Sequence, residues 1–126
     1  MKFKTFMTIH SIALAYFGFG TLLVTEPMWT GIYGISLGGN SVWLVRLIGV
    51  VVIGNMALTL AARTQNNNPG RMAIMTTFSG EWLLYAILAF VGQLAGAYNV
   101  LNWSNVVVAL LFSLGLFLYR DRNPGE

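Results

Sequence analysis

Residues 41–62 read SVWLVRLIGVVVIGNMALTLAA, and this run decides the fold. Its only charged residue is Arg46, near the start. A helix rises ~1.5 Å per residue, so about 20 apolar residues carry the chain across the hydrocarbon core of a bilayer. Runs of the same kind occupy residues ~5–25, ~72–96 and ~101–119. The pattern predicts an all-α membrane protein, a four-transmembrane-helix bundle, with residues 1–126 forming a single integral membrane domain.

Composition leads to the same class. Hydrophobic residues make up 56% of the chain and charged residues 9%, more apolar surface than a soluble chain of this length could bury. Four spans leave almost nothing for an extramembrane domain, so any site must lie inside the bundle or at its rims. The chain has no Cys, which excludes disulfides, thiolate metal sites and cysteine nucleophiles. A net charge of +3 alone is compatible with nucleic acid as a partner, but the placement of the charges argues against it.

Lys2 and Lys4 precede the first run, Arg63 and Arg71 flank the loop between the second and third, and Arg120 and Arg122 follow the fourth. The two remaining loops contain neither Lys nor Arg. The positive-inside rule then predicts an N-in/C-in topology, with both termini and the 63–71 loop cytoplasmic. That loop holds Asn66-Asn67-Asn68-Pro69-Gly70, a polar turn that ends a helix. A cleavable signal peptide is the rival reading of the first run, with Lys2 and Lys4 as the basic region and Ala13-Leu14-Ala15 as the small-residue site. Continuation of the apolar run through Val24 favours a span.

The first outer loop contains Thr25-Glu26-Pro27, a good helix start with an acid near the positive end of the dipole and proline in the first turn. A short interfacial helix is expected there, with Trp29 and Tyr33 at headgroup depth and Trp43, Tyr98 and Trp103 extending the aromatic belt. Anchoring, rather than a ligand box, is the expected role of these rings. Small residues should let helices approach: Gly18 and Gly20 on the first span, Gly49 and Gly54 on the second, and the GxxxG of Gly92 and Gly96 on the third. Such positions fit a tight bundle or a homo-oligomer equally well.

Polar residues inside apolar runs are costly and are usually functional. By depth they form two layers. His10, Asn55, Glu81 and Ser113 fall within about two helical turns of the inner boundary. Arg46, Gln93, Asn99, Asn102 and Asn105 lie toward the outer side, with Glu26 at the interface. Glu81 is the most expensive of them, and His10 is the expected proton-sharing partner with Asn55 as a neutral neighbour. The competing expectation is that Glu81 reaches the inner rim and pairs with Arg71 or Arg63. His10, Glu81 and Asn55 are the catalytic candidates. The ligand-binding candidates are Arg46, Gln93, Asn99, Asn102 and Glu26: Arg46 either pairs with Glu26, reaches lipid phosphate, or holds an anionic headgroup with the Asn99 and Asn102 rim.

No nucleophile elbow, P-loop, dinucleotide fingerprint or HExxH is present, so the expectation leans away from an enzyme. One His without Cys gives no ordinary zinc site, and no metal or other cofactor is expected, although a lone His can serve as an axial haem ligand. The Glu26-Pro27 and Tyr33-Gly34 loop, the Arg46-Leu-Ile-Gly49 opening, the Ala61-Ala62-Arg63 close, and Gly96-Ala-Tyr-Asn99 followed by Trp103-Ser104 resemble small four-helix bacterial membrane proteins of a loosely DoxX-like kind. The resemblance implies a compact bundle in a bacterial inner membrane, in the service of a neighbouring complex, and brings no activity with it.

Three function classes follow. The first is an accessory or scaffolding subunit packed against another membrane protein. The second is intramembrane binding, or isomerase-type conversion, of a lipophilic molecule with His10 and Glu81 as acid and base, with or without haem. The third is a proton-coupled carrier working as a homodimer. Besides the bilayer, the partners expected are another membrane protein or a second copy of the chain.

Overall fold

The computed structural model covers residues 1–126 and contains five helices and no strand. They are α1 (Phe3–Leu23), α2 (Thr25–Tyr33), α3 (Asn40–Thr64), α4 (Pro69–Leu94) and α5 (Asn102–Tyr119). All except α2 are long and apolar enough to cross a membrane, which marks a multi-pass membrane protein.

Local chemistry sets the boundaries. Val24, at φ −123° and ψ 45°, breaks α1 from α2. Pro27 is tolerated in the first turn of α2 because its missing N–H would have no partner there. Gly34 ends α2 in the left-handed conformation at φ 72°. The α3–α4 turn is short, and Asn68 caps α4 by accepting the Arg71 N–H at 2.9 Å, with Pro69 as the first helical residue. Hydropathy alone begins this helix near residue 72. The cap and the proline place the start at Pro69, and Glu81 therefore sits about 18 Å along a 26-residue helix. The expected inner-rim position of Glu81 is corrected to mid-helix.

The helices associate as two pairs, α1 along α3 and α4 along α5, and the pairs meet only sparingly. Small groups draw each pair together. A Cβ on Gly49 would lie 2.9 Å from the Gly18 carbonyl oxygen, and one on Gly18 would lie 3.2 Å from the Ile53 backbone nitrogen, so two backbones cross in contact. In the other pair, Ser79 Oγ donates to the Ser113 carbonyl at 2.8 Å and Ser113 Oγ donates to the Ser79 carbonyl at 2.9 Å. Asn102 adds an Nδ2 donation to the Ala89 carbonyl at 3.1 Å. The Gly92 and Gly96 motif plays a different part from the one expected. Gly96 lies beyond α4 at φ 71°, and Gly92 leaves room for the Tyr98 ring, so the two do not form a helix-crossing face.

Large side chains fill the space between the pairs. Phe3, Phe6, Met7, Ala62, Met75, Phe78, Phe112 and Leu116 form a buried cluster toward the chain termini. At that end Arg71 is fully buried: its Nη2 donates to the carbonyls of Arg120 and Arg122, and its guanidinium lies 4.6 Å from the Phe3 ring centre. The Phe3 N–H donates to the Glu126 carbonyl, and the Asn67 N–H donates to Asn123 Oδ1. Both chain ends and the α3–α4 turn thus share one end of the bundle. The alternative pairing of Glu81 with Arg71 or Arg63 is not formed: the one ion pair joins Arg120 and Asp121, and both Nη groups of Arg71 donate to carbonyls.

Candidate functional site

A cavity of about 310 Å³ opens where the two helix pairs separate. One strip from each long wall helix faces it at helical spacing. His10, Leu14, Phe17 and Thr21 come from α1; Ile48, Val52 and Asn55 from α3; and Phe78, Glu81, Trp82 and Tyr85 from α4. Met28, Trp29 and Tyr33 of α2 close the end away from the termini. Since α3 and α4 barely touch, and since Glu81 and Ile48 are exposed, the cavity opens sideways between these two helices.

Ten of the 14 lining residues are hydrophobic, and the polar ones are hydrogen-bonded in separate sets. Asn55 Nδ2 donates to Glu81 Oε2 at 3.0 Å across the α3–α4 gap. The Tyr33 and Tyr85 hydroxyls share a hydrogen bond of 2.5 Å that ties α2 to α4. Burial beside the Tyr85 and Tyr98 phenols raises the pKa of the Tyr33 hydroxyl well above its ordinary value of 10.0. Trp29 packs on Tyr33 with ring centres 4.6 Å apart.

His10 is hydrogen-bonded on both sides of its ring. Its Nε2 accepts the Trp82 Nε1–H at 2.7 Å, so in the neutral ring the proton is on Nδ1, which donates to Thr59 Oγ1 at 3.3 Å. The Thr59 hydroxyl in turn donates to the Asn55 carbonyl at 2.9 Å. The His10 side chain is fully buried, with Phe6 stacked at 6.4 Å and Phe112 edge-on at 5.0 Å. Both ring nitrogens are used, which removes the lone pair that an axial haem ligand or a general base requires. The site therefore does not fit haem at His10. The expected His10–Glu81 proton-sharing pair is likewise not formed: each has other partners, although both line the same cavity.

The outer polar residues do not converge on one point. Arg46 donates through Nε to Thr25 Oγ1 at 3.4 Å and lies 4.9 Å from the Trp43 ring centre. Glu26 is exposed and unpaired, because the one ion pair of the molecule joins Arg120 and Asp121. Asn99 donates to the Gly31 carbonyl and accepts the Leu101 N–H, which fastens the α4–α5 connection to α2. Asn102 is buried against α4, and Gln93 keeps an unpartnered Oε1. None of Arg46, Gln93, Asn99, Asn102 or Glu26 lines the cavity.

Sequence reasoning missed Trp82, Tyr85 and Thr59 as site residues and placed Trp29 and Tyr33 in a belt facing outward. The signal was present: Phe78, Trp82 and Tyr85 recur at i, i+4 and i+7 around Glu81, the mark of one helix face. Comparison with protein-family models, with curated proteins and with solved structures finds no match.

Proposed function

We propose that this protein binds a lipophilic small molecule inside the membrane, in the cavity between its two helix pairs, with the α3–α4 gap as a side entrance from the lipid. The observation that carries the reading is a largely apolar chamber into which Glu81 projects from mid-helix with Asn55 as its only hydrogen-bond partner. A carboxylate at such depth costs several kcal/mol unless something compensates it, so it is seldom retained for packing. A volume of about 310 Å³ stands at the lower end of the range for small-molecule pockets.

In this reading the four long helices span a bacterial inner membrane with both termini cytoplasmic, as the Lys and Arg placement supports. Helix α2 lies at the outer surface as the roof of the chamber. The locked His10 supports binding rather than catalysis, because no free base stands beside the acid. The DoxX-like resemblance is compatible with such a bundle and adds no substrate.

Native mass spectrometry of gently extracted protein tests this, with a Val52→Trp variant that fills the chamber. A small molecule retained by the wild type and absent from the variant supports binding. A wild type that carries only a partner protein's mass would overturn it in favour of an accessory subunit.

A further inference from the structure

We infer that the ligand of this cavity is a lipophilic primary ammonium, its charged nitrogen held at Glu81 and Asn55 and its apolar body against the aromatic wall. The inference rests on the binding reading above and names the ligand class.

Charge is the first argument. Glu81 is the one acidic residue of the lining, which contains neither Lys nor Arg. The molecule's one ion pair, Arg120 with Asp121, lies elsewhere, so no protein cation answers this carboxylate. A single amide N–H compensates a desolvated carboxylate poorly, whereas an ammonium supplies a full opposite charge. An anionic ligand would add like charge to the same wall.

Hydrogen-bond polarity is the second. An ionised carboxylate only accepts, so Asn55 must turn its amide nitrogen toward Glu81, and this leaves Asn55 Oδ1 as an acceptor without a protein donor. His10 offers nothing, both nitrogens being engaged. At this level the cavity presents acceptors, and an ammonium group brings three N–H donors. A hard metal ion would demand about six oxygen ligands, and the chain has no group of three or more metal-ligating side chains.

The wall is the third. Trp82, Tyr85 and Phe78 share the helix face of Glu81, and aromatic faces attract organic cations. An aliphatic or phenylalkyl body fits the apolar remainder of the chamber.

The test is calorimetric titration of the protein in phosphatidylcholine nanodiscs with phenylbutylammonium and with its neutral counterpart phenylbutanol, empty discs subtracting the lipid contribution. The wild type should bind the ammonium at least about tenfold more tightly than the alcohol. Glu81→Gln, which keeps an acceptor for Asn55, should reduce the ammonium to the level of the alcohol, and Val52→Trp should abolish both. Equal binding of the two probes by the wild type overturns the ammonium assignment and leaves the cavity reading standing, a comparison that needs no variant to fold. Failure of both probes to bind overturns the two together.

Discussion

Asn55 and Glu81 face each other across the α3–α4 gap at 3.0 Å, and theirs is the one side-chain hydrogen bond that joins these two helices. The helix pairs otherwise touch so little on this side that the bond spans the mouth of the cavity. It therefore both bridges the gap and holds the carboxylate in place.

That double role gives the first prediction. Asn55→Ala should lower stability by about 1 kcal/mol when Glu81 is present and by clearly less in a Glu81→Ala background, since the pair is broken only once. Thermal unfolding in detergent of the four proteins measures the coupling. Strict additivity would mean that the bond contributes nothing.

The contact of Gly18 with Gly49 gives a second. A side chain on Gly49 would meet the Gly18 carbonyl and the Leu22 backbone nitrogen, neither of which can swing aside. Gly49→Val should destabilise by about 1–3 kcal/mol or prevent α1 from packing on α3. Gly54→Ala, on the same helix with open space around it, should be neutral or slightly favourable. Equal thermal midpoints for the two variants would refute the crossing.

Arg71 provides a third. Its buried guanidinium satisfies carbonyls at the end of α5 and lies on Phe3, so Arg71→Met strips several acceptors at once. The expected cost is about 2–4 kcal/mol, with early proteolytic cleavage in residues 120–126. Lysine should rescue only in part, because a single ammonium cannot reproduce the planar fork. Limited proteolysis of the three proteins decides it.

Tyr33 supplies the pH dependence. Its pKa is raised in the folded protein, first by burial and then by the neighbouring phenols, so the neutral form is favoured in the fold. The stability this contributes is complete below pH 10.0, the ordinary value, and is lost as pH rises beyond it and the unfolded phenol ionises freely. Absorbance of tyrosinate should show fewer phenols ionising near pH 11 than after unfolding. That difference should shrink in Tyr33→Phe. A Tyr33→Phe protein with an unchanged titration would contradict the raised value.

Much of the fold was legible because apolar run length and charge placement act locally. Residues 41–62 are a helix whatever they touch, and Asn68-Pro69 starts α4 by capping chemistry contained in two residues. The strips at 10, 14, 17 and 21, at 48, 52 and 55, and at 78, 82 and 85 were also readable as helical faces. What they face was not. Periodicity gives the side of a helix and carries no information about the partner helix or its distance. Hence His10 and Glu81 were paired on depth alone, while Trp82, Thr59 and Asn55 supply the actual partners.

By itself, then, the sequence determined the number of long helices, their apolar character and the grouping of basic residues at alternate loops, since each follows from residues adjacent along the chain. Only the tertiary structure decided that the helices associate as two pairs with a chamber between them. Small residues let the backbones of α1 and α3 touch, reciprocal serine bonds join α4 to α5, and bulky aromatic side chains hold the pairs apart. Such distances depend on residues far apart in the chain meeting in space, and no local pattern encodes them.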